Sequence, residues 1–303
     1  RRVLRDLELA RPTQLRRDLL EVAAAGHAGE IGGGEADHDL VLLGDDLEEL
    51  HTVLRGRRGW REDRGGEKAA DEGPKYPRVN LAPWYEVDPT WPQRPPGVHF
   101  GHVPGIAVDR QDNVWVFTRT NNPVQVYSAD GKFIRAWGGP FAMSKEDLAR
   151  FDWPESEHGI AVDGKDNVWI CGNGRDPKSG KDDNQCLKFT VDGKFLLQVG
   201  KSAASKGSLD TANLNHPAQP VYWGPTNEIF IADGYGNRRV LVVDADTGQF
   251  KRMWGAYGKQ PDDKASRERT YDPVPQQFNL VHGLTISKDG IVYVADRNNN
   301  RVQ

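Results

Sequence analysis

The chain has 303 residues and a formal net charge of −4, which is room for one large β domain plus an extension and no strong nucleic-acid footprint. Two cysteines, Cys171 and Cys186, exclude a disulfide scaffold, and no apolar run is long enough to span a membrane. Residue 1 is Arg and no signal peptide is visible, so the sequence reads as a fragment. A secreted or periplasmic location would follow if the missing start carries a signal peptide.

Residues 1–75 differ in composition from the rest. Before Lys68 there is no Lys, Asn, Phe, Tyr, Cys or Met, and Trp60 is the sole aromatic. Gln14–Ala25 and Asp39–Leu54 have helical potential, the second with Leu40, Leu43, Leu47 and Leu50 at roughly helical spacing. Three readings stay open: a disordered or weakly helical extension, a gene-model artefact from GC-rich DNA read in the wrong frame or strand, or a functional helical domain. Residues 76–102 form a Pro- and Trp-rich lead-in, with Tyr76-Pro77, Pro83-Trp84-Tyr85, Trp91-Pro92 and Pro95-Pro96. This composition suits an extended segment lying across a β surface.

From Val103 the chain is a repeat array. A short apolar strand ending in Asp or Ser is followed by a turn and a strand of alternating apolar and aromatic residues. The copies are Gly105-Ile-Ala-Val-Asp109 with Asn113-Val-Trp-Val-Phe117, and Gly159-Ile-Ala-Val-Asp163 with Asn167-Val-Trp-Ile-Cys171. Next come Pro220-Val-Tyr-Trp223 with Glu228-Ile-Phe-Ile-Ala232, and Leu284-Thr-Ile-Ser287 with Ile291-Val-Tyr-Val-Ala295. A third strand and a Gly-ended outer strand complete each unit, as in Val124–Tyr127 with Ala136-Trp-Gly138. The spacing is about 55 to 60 residues. Polar loops at Lys145–Glu157, Lys201–Asn215 and Ala256–Gln277 take up the excess length. Four-stranded antiparallel units in tandem predict an all-β fold, a β-propeller over residues 103–303. A closed ring needs more than four blades; six are expected, the last two beyond Gln303, which falls inside a third strand. A β-sandwich is the disfavoured alternative.

In a propeller, residues just before the inner strands converge on one channel. His158 and His282 hold that position in the second and fourth units. Imidazoles converging from different blades suit zinc, although two channel-lining histidines can equally be structural. Arg119, Asp233-Gly-Tyr235 and Asp296-Arg297 follow the second strands, at the same end. Arg offers a forked donor for a carboxylate, and Tyr a proton carrier. Against this stands a plain role for Asp296, Arg297 and Arg301 as turn salt bridges.

These segments resemble NHL repeats. The Asp-Gly-Tyr and Ala-Asp-Arg turns with the two histidines resemble the peptidyl-α-hydroxyglycine α-amidating lyase (peptidylamidoglycolate lyase) family, over roughly Thr90 to the end. The resemblance implies a six-bladed propeller with a zinc ion on three histidines. His158 and His282 match two of these, and the third lies outside the chain. It implies Tyr235 as the active-site tyrosine and Arg119 and Arg297 as the substrate-handling arginines. It also implies a structural calcium on the main-chain carbonyls of Ile106 and Ile160. The implied reaction splits a peptidyl-α-hydroxyglycine into a peptide amide and glyoxylate, so the expected ligand is a small-molecule or peptide substrate.

The second unit departs from the family pattern. A polar insertion, Gly172–Gln185, replaces a tight turn close to the site, and Cys171 and Cys186 flank it as either a cross-strand disulfide or two buried thiols. Gly236 follows Tyr235, so nothing covalent pins that turn. The alternative to a zinc lyase is a non-catalytic NHL propeller that binds a protein partner or ligand on its channel face. A sugar-lactone hydrolase would need acidic and Asn metal ligands, and no such set is present.

Overall fold

The computed structural model describes residues 87–270 and 272–303. The extension 1–75 and its two helical candidates, Gln14–Ala25 and Asp39–Leu54, lie outside the described residues, as do residues 76–86 of the lead-in.

The described chain is a β-propeller of four antiparallel sheets in tandem. The first runs β1 (Gly105–Val108), β2 (Val114–Phe117), β3 (Val124–Tyr127) and β4 (Phe133–Trp137) from inside to outside. The second contains β5 (Glu157–Val162) and β6 (Val168–Gly172), then β9 (Gln185–Phe189) and β10 (Phe195–Gly200). Between β6 and β9 the insertion folds as a separate hairpin, β7 (Arg175–Asp176) with β8 (Lys181–Asp182). The third sheet is β11 (Gln219–Trp223), β12 (Glu228–Asp233), β13 (Arg239–Asp244) and β14 (Phe250–Trp254). The fourth is β15 (Val281–Ile286), β16 (Val292–Asp296) and β17 (Arg301–Val302). Among the described residues no helix is long and apolar enough to cross a membrane.

In the first, second and fourth sheets the residue that follows the inner strand builds the next turn. Asp109 Oδ1 accepts the main-chain N–H groups of Gln111 and Asn113, and its Oδ2 accepts Asn113 Nδ2 and Trp115 Nε1. Asp163 repeats the scheme with Lys165, Asn167 and Trp169. These carboxylates close the β1–β2 and β5–β6 turns and satisfy the indole N–H of a buried tryptophan. Ser287 does the same more weakly through Oγ, which accepts from Ile291 N at 3.1 Å.

Apolar layers fill the space between neighbouring sheets. Trp115, Phe117, Val126, Ile170, Leu187 and Phe189 meet between the first and second. Trp169, Cys171, Ile229, Ile231 and Leu241 meet between the second and third. Phe230, Val240, Val242, Val281, Leu284 and Val294 fill the third interface. Each sheet buries both faces only by stacking on its neighbours.

The segment Lys145–Glu157 is not simply a polar loop. It holds a one-turn helix, α1 (Lys145–Leu148), capped by Ser144 Oγ, which accepts from Asp147 N. Beyond α1, Phe151 and Trp153 are buried in the layer between the first two sheets. Two isolated aromatics among charges carry no periodicity, which hid this packing.

Of the two alternatives for the cysteines, the structure has the disulfide. Cys171 and Cys186 are direct cross-strand partners on β6 and β9, with Cα atoms 4.4 Å apart, and both are fully buried. The bond closes the insertion at its root, with a sequence separation of 15 residues. Restricting a loop of this length in the unfolded chain contributes about 3 kcal/mol. The Cys171→Ala/Cys186→Ala double variant should lose stability of that order in urea unfolding, and reductant should lower the wild type but not the variant.

Candidate active site

Three carboxylates position the site. Asp233 ends β12, where its Oδ1 accepts Asn215 N at 2.9 Å and its Oδ2 accepts Asn237 Nδ2 and Arg239 Nε, both at 2.8 Å. Asp296 ends β16 and repeats the set: Oδ1 accepts Asn279 N, and Oδ2 accepts Asn299 Nδ2 and Arg301 Nε. Asn215 and Asn279 lie in the segments that lead into the inner strands β11 and β15. Each carboxylate therefore ties the turn after a second strand to the approach of its own first strand.

In the second sheet Gly172 stands where the third and fourth sheets have Asp. Asp183, at the far end of the insertion, takes over. Its Oδ1 accepts Glu155 N at 2.9 Å, and its Oδ2 accepts Ser156 N at 3.1 Å and Gly174 N at 2.6 Å. Glu155 and Ser156 lie just before His158 on β5. Burial pushes Asp183 up to about 6, against the three main-chain hydrogen bonds that favour its charged form.

This bracing brings three blades together. His158 is buried at 4% exposure, and its Nδ1 lies 2.9 Å from Ala218 O. A carbonyl can only accept, so Nδ1 carries the proton and Nε2 is the acceptor. Tyr235 Oη donates to Nε2 at 3.1 Å, and Arg297 Nη1 donates to Tyr235 Oη at 3.2 Å. The His282 ring packs edge-on, with centroids 5.1 Å from His158 and 5.7 Å from Tyr235. The Arg297 guanidinium carbon stands 5.9 Å from the Tyr235 ring centre.

Glycines permit these approaches. A Cβ on Gly159 would stand 2.2 Å from Ala218 O, the acceptor of the His158 proton, and one on Gly234 would stand 2.2 Å from Val281 N and O. Noncovalent contacts pin the turn after Tyr235. Gly236 N donates to Asn215 O, the Asn215 side chain fills the space beside Gly236, and Arg267 Nη2 donates to Gly236 O.

The structure thus joins His158, Tyr235, His282 and Arg297 in one cluster. Arg119 stands one step away: its Nε donates to Glu157 O at 3.1 Å, next to His158. Arg301 pairs with Asp296 as a turn salt bridge, whereas Arg297 reaches Tyr235 instead. Ile106 and Ile160 lie on the adjacent inner strands β1 and β5, where a Cβ on Gly105 would come within 2.7 Å of His158 O.

The two imidazoles fit a metal site in one respect. His158 presents Nε2 inward while Nδ1–H is held by a carbonyl, the outer contact that orients metal-binding histidines. Sequence reasoning missed Asp183, whose signal was the absence of Asp at Gly172. It also missed Gln219, whose Oε1 accepts Leu284 N at 2.9 Å and bridges β11 to β15, and Glu157, whose buried carboxyl is raised by desolvation and held by Trp153 Nε1.

Residues 278–303 match the family model of the NHL repeat. The chain is a β-propeller whose fourth described blade matches an NHL repeat. It is 27% identical to NHL repeat-containing protein 3 of Homo sapiens, over 72% of this chain and 56% of that protein. It is 26% identical to the peptidyl-glycine alpha-amidating monooxygenase of Mus musculus, over 98% of this chain and 29% of that protein. Identity to a probable peptidyl-alpha-hydroxyglycine alpha-amidating lyase of Caenorhabditis elegans is 24%, over 69% of this chain and 56% of that protein. The propeller therefore resembles the amidating lyases while spanning at most 56% of the length of these three relatives.

The raised Asp183 makes the bracing of β5 pH-dependent. Its folded value lies above the unfolded one, so its contribution is fully present below about pH 4 and is withdrawn as pH rises through 6. Relative to Asp183→Asn, the wild type should be most favoured near pH 4, and the difference should shrink by up to about 3 kcal/mol by pH 7. Melting curves of both proteins across this range measure it.

Proposed function

We propose that this chain carries part of the active site of a zinc-dependent lyase that cleaves the C–N bond of an α-hydroxyglycine or a related hemiaminal. The observation that supports it most is the hydrogen-bonded series Arg297–Tyr235–His158, with His282 packed against its last two members. The similarity to proteins named as amidating lyases points the same way.

The substrate class is an N-acyl hemiaminal. Its hydroxyl loses a proton, the C–O bond becomes a carbonyl, the C–N bond breaks, and the amide nitrogen gains a proton. The products are an amide and glyoxylate. Tyr235 is the proton carrier. Arg297 donates to its oxygen, which favours the phenolate that accepts the hydroxyl proton, and the same oxygen can return a proton to the leaving nitrogen. Arg119 and Arg297 supply forked donors for the carboxylate that departs in glyoxylate. Ala218 O holds His158 in the tautomer that keeps Nε2 on the Tyr235 side. His158 and His282 are the residues that would hold zinc, which when bound supplies Lewis-acid polarisation of the substrate hydroxyl. A structural calcium on the Ile106 and Ile160 carbonyls belongs to the same reading. The second reading is a non-catalytic NHL propeller binding a protein or small ligand, favoured by the similarity to NHL repeat-containing protein 3, a name that states no activity.

Glyoxylate release from an N-acyl-α-hydroxyglycine by the full-length gene product, with and without a zinc chelator, tests the proposal. Chelator-sensitive release is the expected result; a folded protein with neither release nor bound zinc favours the binding propeller. His158→Ala and His282→Ala should lose zinc. Tyr235→Phe should retain zinc and slow release by roughly 10²- to 10⁴-fold. Full activity in Tyr235→Phe would remove the tyrosine from the mechanism.

A further inference from the structure

The connection from β14 to β15 is exposed over residues 266–270, yet three consecutive carbonyls within it are gripped from below. Arg238 Nη2 donates to Ala265 O at 2.6 Å and its Nη1 to Ser266 O at 3.4 Å. Asn279 Nδ2 donates to Arg267 O at 2.7 Å. Arg238 and Asn279 are themselves buried, at 1% and 4% exposure, so the surface segment is anchored to the body of two blades. The residue this anchoring places is Arg267. Its side chain is exposed and turns back, and Nη2 donates to Gly236 O at 2.9 Å, one residue beyond Tyr235. A guanidinium is thereby fixed, through main chain and side chain alike, at the mouth of the candidate site.

The charge of Arg267 is not balanced by the protein. Asp262 and Asp263 lie on the same connection, but Asp262 accepts Lys264 N and Asp263 accepts Ser208 N. Asp296 is paired with Arg301. Among the described residues none forms a salt bridge with Arg267. The groups on its inner side are also cationic. Arg297 reaches Tyr235 Oη, and the buried Arg238 is held below its ordinary value, first by burial and next by the charge of Arg267. Positive charge gathered beside one turn, with no protein carboxylate set against it, favours an anion from the ligand.

In the lyase reading Arg119 and Arg297 take the carboxylate that departs in glyoxylate, so the acyl group on the nitrogen extends in another direction. Gly236 is one residue, about 3.8 Å of main chain, from Tyr235, within reach of a short acyl chain. We propose that Arg267 is a specificity-determining residue that receives a second carboxylate, carried at the far end of the acyl group. The preferred substrate class is then a dianionic N-acyl-α-hydroxyglycine over its uncharged-acyl counterpart. With Nη2 already on Gly236 O, the remaining N–H groups of the guanidinium are the donors for that carboxylate. This assignment rests on the lyase reading for the identity of the adjoining site.

The test compares N-glutaryl-α-hydroxyglycine with its terminal amide as substrates of the full-length protein. The two differ in one charge and hardly in shape. The wild type should prefer the glutaryl substrate about tenfold in kcat/KM. Arg267→Gln keeps an N–H donor for Gly236 O and removes the charge. It should abolish the preference by raising KM for the glutaryl substrate, with the amide substrate unchanged. Arg267→Lys keeps the charge and should keep most of the preference. Raising ionic strength from about 0.05 M to about 0.5 M should shrink the preference of the wild type. A wild type that does not distinguish the two substrates overturns the proposal. So does an Arg267→Gln variant that loses equally on both, which would leave Arg267 only the task of holding Gly236. Calorimetry with glutaramate and glutaramide, the amide products of the two substrates, separates this proposal from the lyase reading. If neither substrate releases glyoxylate, tighter binding of glutaramate that Arg267→Gln abolishes still supports a carboxylate site at Arg267. Equal binding of the two amides, or none, rejects it.

Discussion

The site depends on a carboxylate at the end of a second strand that grips the main chain ahead of the neighbouring first strand. Asp233 and Asp296 each accept one main-chain N–H, one asparagine amide and one arginine. A buried carboxylate needs several donors to remain charged, and these donors come from parts of the blade that would otherwise move separately. Turn, approach segment and third strand are locked as one body, and Tyr235 and Arg297 ride on such bodies. The consecutive arginines Arg238 and Arg239 extend the lock outward. Arg239 donates to Ser208 O, Asp210 O and Asn213 O on one side of the third blade, and Arg238 to Ala265 O on the other. Two long connections are thereby held against the blade that carries the tyrosine.

Much of this was legible in the residues, because propeller repeats write their geometry locally. The strands and turns follow from alternating apolar residues and from Asp109, Asp163 and Ser287, whose side chains fold back on chain only a few residues away. The convergence of His158, Tyr235, His282 and Arg297 follows from equivalent positions in different units. What escaped reading was non-local. Phe151 and Trp153 carry no periodicity, and their burial depends on a blade that the sequence places elsewhere. Asp183 acts at a position 11 residues from the gap it fills at Gly172, and no fixed spacing announces it. Arg297 had a plausible partner in Asp296, its neighbour in sequence, yet reaches across to Tyr235 of the preceding blade.

Electrostatics within the cluster run in one direction. Arg297 donates to the phenol oxygen, the phenol donates to His158, and His158 donates to a main-chain carbonyl. Arg297, Tyr235 and His158 each have a defined role as donor or acceptor, so the tautomer of the buried His158 imidazole is set by its surroundings. The carbonyl that sets it belongs to Ala218, and Gly159 provides the room that lets β5 and β11 approach this closely. The geometry of the polar groups is therefore inherited from the backbone.

The substitution of Asp183 for a strand-end aspartate has a consequence for how this blade can change over time. A Cβ at Gly172 would stand 2.6 Å from Asp183 Oδ2 and 2.5 Å from Pro154 Cβ. It would also meet Ser156 O at 2.7 Å, so an aspartate does not fit at position 172 in this blade. Trimming the hairpin back to a tight turn removes the anchor with it. Shortening the hairpin by itself would leave the Glu155 and Ser156 N–H groups ahead of β5 without their carboxylate, so the loop far from the strand end is part of what holds the inner strand in place.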